Sequence, residues 1–258
     1  MSDNRAIPIS EIFSSVQGEG VYAGMYATFI RIQGCSVHCS FCDEKKSWSP
    51  NRAGMTVMDF KEIASAALAH GNPLVVITGG EPLECPDLPA LAEYLRFRLP
   101  STTLLQLETS GLPTSALFSV GGFDSICISP KMLHTPASHK SSANPYHDNA
   151  FRSSIAFDKR VFLKLVVEDF SELLFFLMHL FPSEFYDIFD DSKAARIPII
   201  YVNPVDNGRT ETMGYPETAV TPSFRRCIEL AQTSPKIPAH IRAQMRFGLQ
   251  LHKIFSLQ

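Results

Sequence analysis

The sequence has little net charge and no long apolar run. Its 23 basic and 26 acidic residues give a formal charge of −3, and charged residues make up only 19% of the 258 positions. Proteins that bind nucleic acid normally carry a basic surplus or a basic face, so the charge argues against that class. No apolar stretch approaches the roughly 20 residues of a membrane-spanning helix, and the first residues lack the apolar core of a secretory signal. We therefore expect a cytoplasmic globular protein with no nucleic-acid or membrane partner.

Cysteine is also scarce, and its distribution is uneven. Six cysteines in 258 residues are too few for a disulfide scaffold. Three of them lie close together in the sequence, at Cys35, Cys39 and Cys42. The other three are scattered and are predicted to be ordinary buried thiols: Cys85, Cys127 and Cys227. In a reducing compartment, clustered thiols indicate a metal or redox site.

Strand and helix patterns alternate along most of the chain. Apolar, β-branched runs predict strands at 27–32, 74–77, 103–107, 125–129, 162–167 and 197–202. Helical spacing of apolar residues predicts helices over 57–70, 88–95 and 171–181. This alternation is typical of a parallel α/β sheet with right-handed crossovers. Residues 132–158 and 203–223 show no regular spacing of apolar residues and are expected to be irregular. In residues 245–251, apolar and polar residues alternate, as in a strand with one solvent-exposed face. We expect a single domain over 1–258.

The three clustered cysteines have the spacing Cys-x₃-Cys-x₂-Cys. Three thiolates this close can hold a 4Fe–4S cluster with one iron left open to a small chelating molecule. A structural zinc site, which would need a fourth ligand, and three unrelated buried thiols are the alternatives. The triplet follows a predicted strand, and three later polar segments also follow strands: Gly79-Gly80-Glu81-Pro82, Glu108-Thr109-Ser110-Gly111 and Ser129-Pro130-Lys131. Since ligand sites of α/β folds form where parallel strands end, we expect one site at this rim.

Together these motifs resemble the radical S-adenosylmethionine (SAM) superfamily. The resemblance rests on the cysteine triplet, with Phe41 before its last cysteine, and on the Gly-Gly-Glu-Pro segment. Further segments are similar to the 7-carboxy-7-deazaguanine synthase family within that superfamily. They are Gln17-Gly18-Glu19-Gly20, Phe29-Ile30-Arg31 before Gly34-Cys35, Glu108 to Gly111, Ser129 to Lys131, Lys164 to Val167 and Gln250-Leu251-His252-Lys253. The similarity runs in order from about residue 9 to the end of the chain.

The resemblance implies a fold and an activity. The fold would be a shortened, open (β/α) partial barrel, closed over its site by the C-terminal strand at 245–251. The activity would be conversion of 6-carboxy-5,6,7,8-tetrahydropterin to 7-carboxy-7-deazaguanine with loss of ammonia, a carbon–nitrogen lyase step in queuosine and other 7-deazapurine biosynthesis. The implied cofactors are a 4Fe–4S cluster, SAM and Mg²⁺. The implied partners are an electron donor such as flavodoxin or ferredoxin and a second copy of the chain.

The resemblance also assigns residues. Cys35, Cys39 and Cys42 would bind the cluster. The SAM pocket would be formed by Phe41, Gly80, Glu81, Ser129, Pro130, Lys131, Asn203, Pro204, Val205 and Asp206. Asn203 stands where the family usually has glutamine. The pterin would be bound by Val16, Gln17, Gly18, Glu19, Arg31, Thr78, His252 and the terminal residue Gln258. Among these, the Arg31 guanidinium suits a bidentate contact with the substrate carboxylate.

One position departs from the family pattern. The family has threonine or serine two residues after the last cysteine, where its hydroxyl helps to bind Mg²⁺, and this chain has Glu44. A carboxylate is also a hard oxygen ligand, so Glu44 is a candidate Mg²⁺ ligand. The alternative is an ion pair with Lys45, Lys46 or Arg31 and no metal.

Two other functions remain open at this stage. A radical SAM activase of a glycyl-radical enzyme shares the cysteine triplet but acts on a protein partner. The segment from Gln17 to Glu19 and His252 favour a small pterin instead. A non-catalytic zinc or iron–sulfur electron-transfer module would leave the Gly-Gly-Glu-Pro segment and the polar rim unexplained.

Overall fold

The computed structural model describes residues 5–49, 54–133, 146, 148–182, 196–205 and 221–248. Within these ranges the strands are β1 (Ala6–Val16), β2 (Tyr26–Ile32), β3 (Thr56–Asp59), β4 (Leu74–Gly79), β5 (Leu104–Thr109), β6 (Ser125–Ile128), β7 (Val161–Val167), β8 (Ile200–Pro204) and β9 (Met245–Phe247). The helices are α1 (Phe60–His70), α2 (Leu88–Arg98), α3 (Asn149–Phe157), α4 (Phe170–Leu180), α5 (Pro222–Thr233) and α6 (Ala239–Gln244).

The strands of the described ranges form one open sheet in the order β3-β1-β2-β4-β5-β6-β7-β8-β9. Every pair from β2 to β9 is parallel, while β1 runs antiparallel to both β2 and β3. The predicted parallel α/β sheet is therefore confirmed, with a short antiparallel extension at one edge. No helix in the described ranges is long and apolar enough to cross a membrane.

Helices and strands bury continuous apolar faces against each other. Leu74 to Ile77 in β4 are at most 1% exposed, because packed layers cover both faces of the sheet at this central strand. In α1 the apolar positions recur three and four residues apart, and Phe60, Ile63 and Ala67 are buried. Gly71 ends this helix in the left-handed conformation with φ 64°, as its sequence position predicts.

Several boundaries differ from the prediction. The helix predicted from residue 57 begins at Phe60, because residues 56–59 pair with β1 and Asp59 caps α1 through the backbone N–H of Glu62. The prediction that 132–158 is irregular is wrong for α3, where Phe151 and Ile155 are four residues apart and fully buried. The predicted C-terminal strand is confirmed for Met245–Phe247, Gly248 lies outside it, and 249–251 lie outside the described residues.

Candidate active site at the carboxyl ends of the strands

A cavity of about 240 Å³ lies where the central parallel strands end. The predicted site residues that line it are Val16, Gln17, Glu19, Arg31, Cys35, Cys39, Phe41, Cys42, Glu44, Thr78, Gly80, Glu81, Ser129 and Lys131. They come from five separate segments of the sequence, and the sheet brings them to one place. Predicted residues that do not line it are Gly18, Pro130, Asn203, Pro204 and Val205. Asp206, His252 and Gln258 lie outside the described residues.

The backbone holds the cysteine loop at the end of β2. The N–H of Gly34 donates to the Ser47 carbonyl at 2.8 Å, and the N–H of Cys35 donates to the Trp48 carbonyl at 3.1 Å. Within the loop the Cys42 N–H donates to the Cys39 carbonyl at 3.1 Å. These bonds close residues 34–48 into a folded loop that presents its three thiols to the cavity.

Glu84 anchors the start of this loop from outside. Its carboxylate accepts from the Ser36 backbone N–H at 3.1 Å and also from the Ser36 hydroxyl. Because Ser36 directly follows Cys35, the contact fixes the direction of the chain at the first thiol. Glu84 follows the Gly-Gly-Glu-Pro segment, so the contact joins this segment to the cysteine loop, from which it is separate in the sequence.

Replacing Glu84 with alanine is expected to speed the loss of bound iron to a chelator about fivefold. The reason is that one anchoring interaction contributes about 1 kcal/mol to the closed form of the loop. The rate is followed by absorbance after the protein has been loaded with iron and sulfide. Glu93→Ala removes an exposed glutamate of α2 and is the matched control. Equal rates in the two variants would show that Glu84 does not hold the loop.

Gly79 and Gly80 permit a close approach of two backbones. The N–H of Gly80 donates to the Ile32 carbonyl at 2.8 Å, and the N–H of Glu81 donates to the Gly34 carbonyl at 2.8 Å. A Cβ atom on Gly80 would lie 1.9 Å from the Gly34 carbonyl oxygen. The glycines of this segment predict a close approach of its backbone to a ligand. The structure shows that Gly80 is also required for a second reason, because a side chain there would prevent the end of β4 from packing against the backbone of the cysteine loop.

The carboxylate of Glu81 ties the end of β4 to the end of β5. It accepts from the backbone N–H groups of Leu83 at 3.0 Å and Ser110 at 2.7 Å. It also accepts from the hydroxyls of Thr109 and Ser110. Burial raises the pKa of Glu81, while these hydrogen bonds oppose the shift. The side chain is 2% exposed, so its principal contacts lie within the protein.

A buried polar network lines the side of the cavity formed by Gln17, Glu19, Glu108 and Lys164. Glu19 accepts from the Lys164 ammonium at 2.6 Å and from the Asn203 amide at 3.0 Å. Gln17 donates to Glu108 at 2.8 Å, and Glu108 lies 3.8 Å from Lys164. Burial alone would lower the pKa of Lys164, but the charges of Glu19 and Glu108 outweigh it and hold that pKa well above its usual value. The lysine is therefore a fixed cation between two carboxylates.

Glu108 and Lys164 are not among the site residues predicted from the sequence. Each lies in a segment that supported the resemblance, but only the strand order β5-β6-β7 shows that the two side chains meet. Asn203 was expected in the SAM pocket. The structure places it, fully buried, on Glu19.

Arg31 lies at the other end of the cavity. It is opposite Thr78 in the parallel pairing of β2 with β4, so both side chains reach the same rim. Its Nε is 2.9 Å from Glu11 and 3.5 Å from Glu44. These contacts are ion pairs, and their geometry does not let the Nε–H donate a hydrogen bond to either carboxylate. The guanidinium also lies 5.1 Å from the centre of the Phe13 ring.

The three thiols fit a cluster in which each sulfur binds a different iron. They line one cavity from one loop, which such a group requires. Within the described ranges, no three histidine, cysteine or acidic side chains converge on a point that would hold a single ion. Burial raises the pKa of Cys35 to about 11 and also raises that of Cys39. Binding as thiolates would therefore release protons.

Comparison with known proteins supports the resemblance. The family described as the radical SAM superfamily matches residues 29–150. Proteins named 7-carboxy-7-deazaguanine synthase are 43% identical over 130 residues in Synechocystis sp. and 39% identical over 135 residues in Prochlorococcus marinus. Each alignment covers 50% of this chain, and the chain spans only 57% and 58% of those relatives.

A solved structure supports the fold along almost the whole chain. The crystal structure of QueE from Escherichia coli superposes with a TM-score of 0.55 and 20% identity, covering 94% of this chain and 92% of that one. The sequence expectation of an open α/β partial barrel is thereby confirmed.

Proposed function

We propose that this chain is a radical SAM enzyme that converts 6-carboxy-5,6,7,8-tetrahydropterin to 7-carboxy-7-deazaguanine with loss of ammonia. The observation that carries the proposal is that one cavity is lined by the cysteine triplet, by Gln17 and Glu19, and by Arg31. A glycyl-radical activase would not need a pocket with these polar groups. We propose that the chain acts as a single domain over 1–258.

The pterin would lie between the buried polar network around Glu19 and the Arg31 guanidinium at the other end of the cavity. Arg31 is the cation placed to bind the substrate carboxylate. Gln17 and Glu19 offer an amide and a carboxylate to the donor-rich edge of the ring, supported by the backbone at Val16 and Gly18. Thr78 would donate its hydroxyl from β4. His252 and Gln258 belong to the proposed site and lie outside the described residues.

The cysteine loop would hold the cofactors next to this pocket. Cys35, Cys39 and Cys42 are the proposed ligands of the 4Fe–4S cluster, which with SAM supplies a 5′-deoxyadenosyl radical when bound. The SAM molecule would be bound by Phe41, Gly80, Glu81, Ser129 and Lys131, which line the cavity. Lys131 donates to Ser129 at 2.9 Å and lies 5.2 Å from the centre of the Phe41 ring, so three of these side chains already form one surface. The other residues expected in the SAM pocket do not line it in the described chain (Pro130, Asn203, Pro204 and Val205) or lie outside the described residues (Asp206).

An anaerobic assay tests the activity. The reconstituted protein is mixed with dithionite, SAM and the carboxypterin, and the deazapurine is detected by ultraviolet absorbance and mass. We expect product with the wild-type chain and none with Cys39→Ala. Cleavage of SAM without deazapurine would favour the activase, and a protein that binds zinc in place of iron would contradict both activities. Flavodoxin or ferredoxin is the proposed electron donor in the cytoplasm, and the proposed assembly is a homodimer.

Glu44 is the proposed ligand of Mg²⁺. Its side chain is 11% exposed, lines the cavity, and lies 3.5 Å from both Arg31 and Lys46. The ion pair considered as the alternative is thus present in the metal-free chain. A divalent ion would compete with these two cations for the same oxygens.

Replacing Glu44 with alanine is expected to raise the Mg²⁺ concentration for half-maximal activity at least about tenfold, because a hard oxygen ligand is lost. Titrating the assay with Mg²⁺ measures the change. Glu11→Gln is the matched control, since Glu11 also contacts Arg31 and Lys46. If the Glu44 variant required no more Mg²⁺ than this control, Glu44 would serve as an ion-pair partner only.

A further inference from the structure

Trp48 contacts both ends of the cysteine triplet. It is the only tryptophan in the chain. Its indole Nε1 donates to the sulfur of Cys42 at 3.3 Å, and its backbone carbonyl accepts from the N–H of Cys35 at 3.1 Å. The resemblance assigns no role to this residue, and its side chain lines the cavity.

The plane of the indole is fixed by its neighbours. The ring of His38 stacks on it with centroids 4.6 Å apart and an interplanar angle of 29°. His38 has φ 50°, a left-handed conformation that turns the chain between the first two cysteines. Lys45 lies 5.9 Å from the centre of the indole on the short helical turn that precedes Trp48. The N–H is therefore held towards Cys42 by its surroundings.

We propose that Trp48 raises the reduction potential of the group that Cys42 holds. An N–H that points at a ligating sulfur stabilises negative charge on it, and hydrogen bonds to sulfur are one of the ways in which proteins set iron–sulfur potentials. Reduction adds one electron from a low-potential donor and forms or breaks no bond. The electron increases the negative charge beside the indole, so the hydrogen bond stabilises the reduced form more than the oxidised form.

This inference rests on the cluster of the proposed function and not on its pterin substrate. A hydrogen bond of ordinary strength changes an equilibrium about two- to tenfold. Removing the N–H is expected to lower the ratio of reduced to oxidised cluster by that factor at a fixed potential. For a one-electron couple, tenfold corresponds to a midpoint lower by about 59 mV.

The single tryptophan permits a substitution at one atom. Growth with β-(3-benzothienyl)alanine in a tryptophan auxotroph replaces the indole N–H with sulfur at position 48 alone and keeps the bicyclic shape. Growth with 5-fluorotryptophan keeps the N–H and is the matched control. The midpoints of the iron-loaded proteins are measured by electron paramagnetic resonance during an anaerobic redox titration with dithionite. Trp48→Phe, which keeps a ring for His38 to stack on, gives a second measurement.

We expect the benzothienyl protein and Trp48→Phe to have lower midpoints than the wild type, and the fluorotryptophan protein to match or exceed the wild type. Equal midpoints in all four would overturn the role of Trp48 while leaving the proposed function intact. A lowered midpoint in a protein that makes no deazapurine would support the role of Trp48 and count against the pterin substrate. The two failures are therefore distinguishable.

Discussion

Replacing Lys164 with methionine is expected to lower the free energy of unfolding by about 3–5 kcal/mol, because it leaves buried carboxylates without their cation. Glu19 and Lys164 are 8% and 12% exposed at their side chains and lie 2.6 Å apart, so water cannot replace the lost partner. Urea denaturation of the metal-free chain measures the change. Turnover of the pterin should fall about 100-fold or more, since Glu19 would no longer be held at the substrate.

Two further variants separate charge from packing. Lys159→Met removes an exposed lysine and should change stability by less than about 0.5 kcal/mol. Lys164→Met combined with Glu19→Gln removes both members of the pair and should recover much of the lost stability without restoring turnover. If Lys164→Met alone were as stable as Lys159→Met, the network would not be the fixed, desolvated unit that its distances indicate.

Replacing Gly80 with alanine is expected to lower the free energy of unfolding by about 3 kcal/mol or more and to abolish iron binding. The added methyl group would overlap the Gly34 carbonyl, 1.9 Å away, and overpacking against backbone cannot be relieved by a rotamer change. The β4 segment would have to separate from the cysteine loop, which costs the hydrogen bond from Glu81 to Gly34. Iron per chain after reconstitution measures the effect on the loop.

Gly121→Ala is the control for this substitution. Gly121 lies outside the left-handed region, and no heavy atom lies within 4 Å of a Cβ built there, so its stability should change by less than about 1 kcal/mol. Normal iron binding by Gly80→Ala would mean that the loop does not depend on the backbone contact described above.

The central strands could be predicted from the sequence because both of their faces are buried. Leu74 to Ile77 form a continuous apolar run for that reason. The strand β1, which has eleven residues, could not be predicted. It lies near the edge of the sheet, and a bulge between Ile9 and Glu11 interrupts the alternation of buried and exposed side chains. α3 was missed because its serines and asparagine are typical of a loop, although Phe151 and Ile155 bury one face.

The site was predictable where its residues are close together in the sequence. The cysteine triplet and the Gln17–Glu19 segment can be recognised in the chain itself. The pairing of Lys164 with Glu19 joins residues 145 positions apart, and no local pattern indicates that they meet. The same holds for the contact of Glu84 with Ser36, which depends on the close approach of β4 to the end of β2.

The most direct test of the proposed function follows the hydrogen atom at C6 of the pterin. By the proposed function, three cluster-binding thiols lie beside the pterin pocket, and the radical that SAM supplies would take the hydrogen at C6 of the substrate. Substrate and product differ only by ammonia, so a hydrogen would have to be returned and SAM re-formed in each turnover. Carboxypterin deuterated at C6 is incubated anaerobically with the reconstituted protein, SAM and dithionite, and both SAM and 5′-deoxyadenosine are analysed by mass spectrometry. We predict deuterium in SAM and in any 5′-deoxyadenosine together with formation of 7-carboxy-7-deazaguanine. Product formed without deuterium in either nucleotide, or no product with the iron-loaded protein, would contradict the proposed function.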